Sequence, residues 1–261
     1  MKKRVLTALI LLIICLPIIY IGGRPFYIFA TLVSVMGYRE LINLITDKKE
    51  FKIVMYFCFL IIILSNITKN SFNDLLDYHL IGIISILFSI LGLLGYKNNK
   101  LDVGECFKLL GMTFFLGMSF SIIIIVRNMS LKYFIYLFLI TILTDTFALF
   151  TGMLFGKHKM TKISPNKTWE GFVGGCFFGT LLCSLFYLIF IDKTISLLLL
   201  IAVTLFLTII GQIGDLFFSL IKRHYKIKDF SNLLPGHGGV LDRLDSIIFV
   251  MLLITFFIEL I

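Results

Sequence analysis

Long apolar runs, each closed by a short polar cluster, succeed one another from end to end of the chain. A helix that crosses roughly 30 Å of hydrocarbon needs about 17–25 apolar residues. The runs Val5–Ile21, Pro25–Ile45, Ile53–Ile67, Leu80–Leu94, Cys106–Val126, Tyr133–Phe155, Phe172–Ile191, Ile195–Phe218 and Ser246–Ile261 are of that order. The third, fourth and ninth are short, so tilt, a locally thinned bilayer or a count of eight is expected there. Lipid offers no partner to backbone N–H and C=O groups, and the runs lack the ten-residue alternation of a barrel, so the segments should be helices. The pattern predicts an all-α polytopic integral membrane protein of about nine transmembrane helices. Without heptads, repeats of fixed period or a low-complexity linker, one membrane domain over 1–261 is the simplest partition. Within it, 1–126 reads as scaffold spans and 133–261 as the half that carries interior polar groups, Asp145, Gln212 and Asp215 among them.

Composition places the chain in a bilayer: 59% of residues are hydrophobic and 15% charged, outside the range of soluble domains. The five cysteines, Cys15, Cys58, Cys106, Cys176 and Cys183, form no C-x-x-C pair and read as packing residues. The opening Met-Lys-Lys-Arg and the run after it are like a signal peptide, but without a small-x-small cleavage site a retained first span is expected. The net charge is +9, and most of the Lys and Arg residues fall on alternate connections. One side collects Lys2, Lys3 and Arg4, then Arg39, Lys48, Lys49 and Lys52, then Lys97, Lys100 and Lys108, then Lys157, Lys159, Lys162 and Lys167, and finally Lys222, Arg223, Lys226, Lys228 and Arg243; the other has Arg24, Lys69, Arg127, Lys132 and Lys193. Basic residues accumulate on the cytosolic side, so the N-terminus should be cytosolic and the C-terminus outside. Topology thus accounts for the charge without nucleic acid, while a basic rim attracts anionic head groups and nucleotides alike.

Two polar stretches fall on that side. Asp145 lies about eleven residues, or roughly 16 Å, from the end of its span, where a carboxylate is functional by default; a structural hydrogen bond to a neighbouring helix, with Thr144 and Thr146 as local partners, is the alternative. Asp215 follows Gly211-x-x-Gly214, whose small faces invite a second helix, and shares a helical stripe with Ser219 and Lys222, with Arg223 and Lys226 alongside. An interfacial helix end with snorkelling lysines, which needs no ligand, is the alternative reading of that stripe. Pro235-Gly236-His237-Gly238-Gly239 cannot be helical and leads into Asp242-Arg243-Leu244-Asp245, two aspartates on one face at a helix start; the helix dipole explains one of them. The connection around Ser164, Pro165, Asn166, Lys167 and Thr168 offers hydroxyl, amide and ammonium donors, and Trp169 reads as an interface anchor ahead of a stacking platform. Paired carboxylates beside a basic cluster suit phosphoryl or nucleotidyl transfer, in which oxygen ligands hold Mg²⁺ and cations clamp phosphates. His237 is open between general base, phosphate contact and structural group.

The pattern S-x-x-K-R-x₄-K-D-x-S-x-x-L-P-x-H-G-G-x-x-D-R-x-D of Ser219–Asp245 resembles the signature of the phosphatidate cytidylyltransferases, or CDP-diacylglycerol synthases. The block from Asp145-Thr146 through Gly156-Lys157 to Ile163–Gly171 is similar to that family's other polar region; ahead of it only hydropathy and Tyr38-Arg39-Glu40 are alike. Phe147 and Asn166 depart from the usual small residue and Lys. The resemblance implies that CTP and phosphatidate give CDP-diacylglycerol and pyrophosphate, with Mg²⁺ on Asp215 and Asp242 and room for a second, monovalent cation such as K⁺. It further implies that Asp245 completes the shell, that Lys222, Arg223, Lys228 and Arg243 hold phosphates, that Lys167 and Ser219 add contacts, and that Asp145 lines a polar funnel for the lipid head group. Ser164, Asn166 and His237 complete the expected substrate-binding set. The setting would be the inner (plasma) membrane, with membrane lipids as neighbours and a homodimer left open. A polyprenol kinase or an archaeal-type lipid cytidylyltransferase would share much of this pattern, and a transporter would explain the spans alone.

Overall fold

The computed structural model describes residues 2–72, 75, 78–97 and 102–258. Among them are nine α-helices: α1 Lys2–Ile21, α2 Gly23–Ile45, α3 Lys49–Asn66, α4 Tyr78–Lys97, α5 Val103–Met129, α6 Leu131–Phe155, α7 Trp169–Phe190, α8 Leu197–His224 and α9 Leu241–Phe257. The protein is an all-α polytopic membrane protein. By length and hydropathy α2, α5, α6, α7 and α8 can each cross a bilayer, and α1 and α4 contain shorter apolar stretches, Leu9–Ile21 and Tyr78–Leu93. Lys100 and the last three residues of the ninth expected span lie outside the described residues.

The helices overrun the apolar runs because polar residues can end a helix without breaking it. The short third and fourth runs become helices of 18 and 20 residues, about 27–30 Å long. The α8 helix continues past Phe218 to His224, its last turn carrying Lys222, Arg223 and His224, where cations complement the C-terminal end of the dipole. The α9 helix starts at Leu241, so Asp242 falls in its first turn.

The chain forms two compact units, Met1–Met129 with Phe230–Leu241, and Ser130–Asp229 with Asp242–Ile261. In the first, α5 packs on α2 and α3. Tyr38 stacks on Phe59 at 4.2 Å and shares a 2.7 Å hydrogen bond with Thr113. Arg127 donates to the last carbonyls of α1, Nε to Ile19 at 2.6 Å and Nη2 to Tyr20 at 2.9 Å, which satisfies acceptors that a helix end leaves open. The segment 230–241 joins this unit through α2. Glu40, 6% exposed, accepts hydrogen bonds from the Ser231 hydroxyl at 2.6 Å and from the N–H groups of Val240 and Leu241 at 2.8 and 2.9 Å.

In the second unit α6 and α7 make the closest helix pair, and a stripe of glycines sets their separation. A Cβ on Gly171 would lie 2.7 Å from the Ala148 carbonyl oxygen, one on Gly175 2.7 Å from that of Thr144, and one on Gly179 2.5 Å from the Thr144 hydroxyl. Small residues every fourth position let helix backbones approach where no hydrophobic driving force separates helix from lipid. The α8 helix lies against α7, with Gln212 Nε2 donating to Phe172 O at 3.1 Å. Gly214 gives the close approach expected of it: a Cβ there would meet the Asp245 carbonyl oxygen and the Phe249 Cβ, each at 2.9 Å.

Candidate active site

The second unit gathers its polar residues around a cavity of about 380 Å³, lined by Asp145, Ser164, Asn166, Lys167, Thr168, Gln212, Asp215, Asp242, Arg243 and Asp245, with Ala148, Leu149, Met160, Gly171 and Phe172 as the remaining wall. Each polar group has a local reason for its place. Asp145 is exposed to this space from the body of α6. Its two threonine neighbours are directed elsewhere: the Thr146 hydroxyl donates to Ile142 O in its own helix at 2.7 Å, and the Thr144 hydroxyl is turned toward the tight α6–α7 contact at Gly179. Phe147 stacks on Phe178 at 4.9 Å, which fills the α6–α7 seam.

The connection from α6 to α7 is folded back on itself. Met160 N–H donates to Lys167 O at 2.9 Å, Lys167 N–H to Ser164 O at 3.1 Å and Trp169 N–H to His158 O at 3.0 Å. Glu170, in the first turn of α7, accepts from His158 N–H at 3.2 Å, and its other carboxylate oxygen stands 2.6 Å from His158 Nδ1. Thr168 caps α7 by accepting from Gly171 N–H at 3.1 Å, the ordinary use of a threonine at that position. Trp169 is half exposed at the head of α7, edge-on to Phe172. Held in this way, Lys167 reaches α8, with Nζ 2.5 Å from Asp215 Oδ2.

The α8 stripe behaves as its spacing predicts. Ser219 Oγ lies 3.5 Å from Asp215 Oδ1, and one turn on Lys222 Nζ donates to Asp242 Oδ1 at 2.8 Å. That second pair is deeply buried, with 12% of the Lys222 side chain and 4% of Asp242 exposed. Asp245 is buried on the same face of α9 as Asp242 and accepts from Ser246 N–H at 2.9 Å. Arg223 is exposed and ties the connections together, Nε donating to Ile163 O at 3.4 Å and Nη1 to Ile227 O at 3.3 Å. Lys228 is exposed in the connection after α8 and is not among the residues lining the cavity. His237 belongs to the 230–241 segment of the first unit, where its N–H donates to Leu234 O at 2.8 Å.

Four carboxylates thus line one cavity, and ammonium groups stand against two of them. Among the described residues no three His, Cys, Asp or Glu side chains converge as a metal centre; lysine nitrogens take the places beside Asp215 and Asp242. The donor set nevertheless fits a hard cation, because oxygen ligands are what Mg²⁺ takes and four carboxylates in one cavity repel one another unless cations screen them.

The residues to which the sequence assigned no role are the ones whose partners are far away or hidden. Glu170 shapes the α6–α7 connection, Gly175 and Gly179 set the helix spacing, and Glu40 binds amides 200 residues further on. The glycines had a physical signal in the four-residue repeat of small side chains, whereas Glu40 and Glu170 were marked only by the family resemblance of the motifs that hold them.

The fold and the cavity together describe a class, an α-helical membrane protein with carboxylates and lysines gathered at one cavity, a chemistry suited to phosphorylated anions. More narrowly, the chain belongs to the cytidylyltransferase family, whose model matches residues 2–261, and it is therefore a nucleotidyltransferase. It is 38% identical to the phosphatidate cytidylyltransferase of Staphylococcus haemolyticus (strain JCSC1435) and 39% identical to that of Staphylococcus saprophyticus subsp. saprophyticus. It is 37% identical to that of Staphylococcus aureus (strain COL). In each case the alignment covers 98% of both chains.

Proposed function

We propose that this protein transfers the cytidylyl group of CTP to phosphatidate and releases pyrophosphate, forming CDP-diacylglycerol for phospholipid synthesis. The observation that carries the reading is the pairing of Lys167 with Asp215 and of Lys222 with Asp242 at one cavity. A phosphate oxygen of phosphatidate attacks the α-phosphorus of CTP, and the bond from that phosphorus to the oxygen bridging to the β-phosphorus breaks. The new phosphoanhydride replaces the old one, and the electron pair leaves with pyrophosphate. Both reactants are polyanions, so the chief tasks are to orient them and to screen their repulsion.

Asp215 and Asp242 are the residues that would hold Mg²⁺, with Asp245 completing the set and space for a second, monovalent cation. The ion would neutralise charge that develops on the transferring phosphoryl oxygens. The lysines of this chain do the complementary work. Lys167 and Lys222 leave their carboxylates for substrate phosphates, which puts ammonium groups on the anions and frees oxygen ligands in one exchange. Arg243, Arg223 and Lys228 add positive charge, and Ser164, Asn166 and Ser219 supply neutral donors. Asp145, in the body of α6, lines the approach of the lipid head group. The half of the chain from 133 to 261 is taken as catalytic and 1–126 as scaffold, in a single membrane domain. The site faces the cytosol, where CTP is found, from the inner (plasma) membrane.

The test is CTP-dependent conversion of phosphatidate by the purified protein, followed as CDP-diacylglycerol and pyrophosphate. Chelation of divalent ions should abolish turnover and added Mg²⁺ restore it. Asp242→Asn should lower kcat by about 10²–10³-fold, the scale of losing one electrostatic stabiliser of a transition state. Release of CDP in place of pyrophosphate would mark a CTP-dependent lipid kinase and sink the proposal.

A further inference from the structure

A helix needs acceptors for its first N–H groups, and these normally come from a Ser, Thr, Asp or Asn just ahead of it. The residue ahead of α9 is Val240, preceded by Gly239, and neither side chain carries an oxygen. The acceptor comes from the other end of the chain. Glu40, near the end of α2, takes the N–H of Val240 on Oε1 and that of Leu241 on Oε2, and Oε1 also takes the Ser231 hydroxyl. A second observation shows that the fit is close: a Cβ on Gly239 would lie 2.5 and 2.6 Å from the two Glu40 oxygens, so a side chain there would push the carboxylate off its amides. The segment between is closed by its own bonds, Leu234 N–H to Gly238 O at 2.9 Å and Gly238 N–H to Leu234 O at 3.1 Å. Gly236 and Gly238 there have φ of 79° and 84°, the left-handed region that suits glycine.

We infer that Glu40 is a positioning residue for the cytidylyl transfer, acting as a remote cap that fixes the backbone at Val240 and Leu241 and, through the next peptide bond, the direction in which the Asp242 side chain leaves α9. The inference rests on the function proposed above only for the role of Asp242; the clamp itself stands on Glu40, Ser231, Gly239, Val240 and Leu241. In this account the first glycines of Pro235–Gly239 shape a turn and the last makes room for a carboxylate, so the segment serves as a mount for Asp242. A buried carboxylate that accepts three hydrogen bonds has no isosteric substitute: the amide of Gln would turn an N–H₂ toward a backbone N–H.

The experiment uses the full-length protein in lipid vesicles and compares wild type with Glu40→Gln, Glu40→Ala, Ser231→Ala and Gly239→Ala. Amide hydrogen exchange across 230–242 reads the clamp, and turnover against Mg²⁺ concentration reads its consequence. Exchange at Val240 and Leu241 should accelerate at least roughly tenfold in Glu40→Gln. The Mg²⁺ concentration for half-maximal rate should rise by a similar factor while helices α3 and α5 keep their protection, and Ser231→Ala, which removes one bond of three, should fall between. Gly239→Ala should mimic the Glu40 variants, and Glu40→Ala with Gly239→Ala should be no worse than either alone, since removing the carboxylate makes room for the Cβ. Unchanged exchange in Glu40→Gln overturns the inference. So does faster exchange with wild-type Mg²⁺ dependence and turnover per folded molecule, which would make the contact merely structural. A wild-type protein that does not consume CTP would instead sink the proposed function, and the exchange arm would still decide the clamp.

Discussion

The two lysine–carboxylate pairs differ in burial, and their variants should separate accordingly. The side chains of Lys222 and Asp242 are almost closed to solvent, so Lys222→Met strands a carboxylate and should destabilise the protein by about 3 kcal/mol. A lowered Tm of the detergent-purified variant checks this. Adding Asp242→Asn to Lys222→Met should return most of that stability and none of the turnover, because the double variant removes both charges of the pair and the ligand with them. About a quarter of each side chain is exposed in the Lys167–Asp215 pair, where solvent screens the interaction, so Lys167→Ala should change stability by less than about 1 kcal/mol. Its effect should be on substrate binding, with KM for CTP raised roughly tenfold or more through loss of one charge-assisted phosphate contact.

At the level of elements, the α6–α7 pair lines part of the cavity, and its glycine stripe is sensitive to a single methyl group. Gly175→Ala puts a Cβ 2.7 Å from Thr144 O and should cost about 1–3 kcal/mol as the helices are forced apart. Gly82→Ala, in α4 with nothing within 4 Å of the added Cβ, should be tolerated, and comparison of Tm and turnover tests the contrast. The existence and order of the helices were legible in the apolar runs, and the i, i+4, i+7 stripe of Asp215, Ser219 and Lys222 was legible in their spacing. The ends were less so: the apolar run stops at Phe218, whereas α8 continues to His224, its last turn carrying cations that suit the dipole. The fold-back of the α6–α7 connection was equally hidden. It depends on Glu170 meeting His158 and on backbone bonds that no residue type announces.

Across the whole molecule the distribution of Lys and Arg makes a prediction of its own. With single cysteines placed in a cysteine-free background, position 193 between α7 and α8 should react with impermeant reagent from outside, and position 228 only after permeabilisation. Reversed labelling would overturn the proposed orientation. What composition could not reveal is how the chain is partitioned: sequence order suggested a break near residue 130, whereas Phe230–Leu241 also packs with the first unit, held by Glu40 and by a 3.0 Å hydrogen bond from the Thr7 hydroxyl to Pro235 O. That return has a consequence for biosynthesis. At about 5–20 residues per second, the ribosome needs roughly 5–20 s to pass from residue 130 to residue 230. Throughout that interval Glu40 and Thr7 have already emerged while their partners have not been made. The first unit to be started therefore cannot be completed until most of the second has been made. Nascent chains stalled just before Phe230 should be cut near Arg39 by protease more readily than chains released after Phe257.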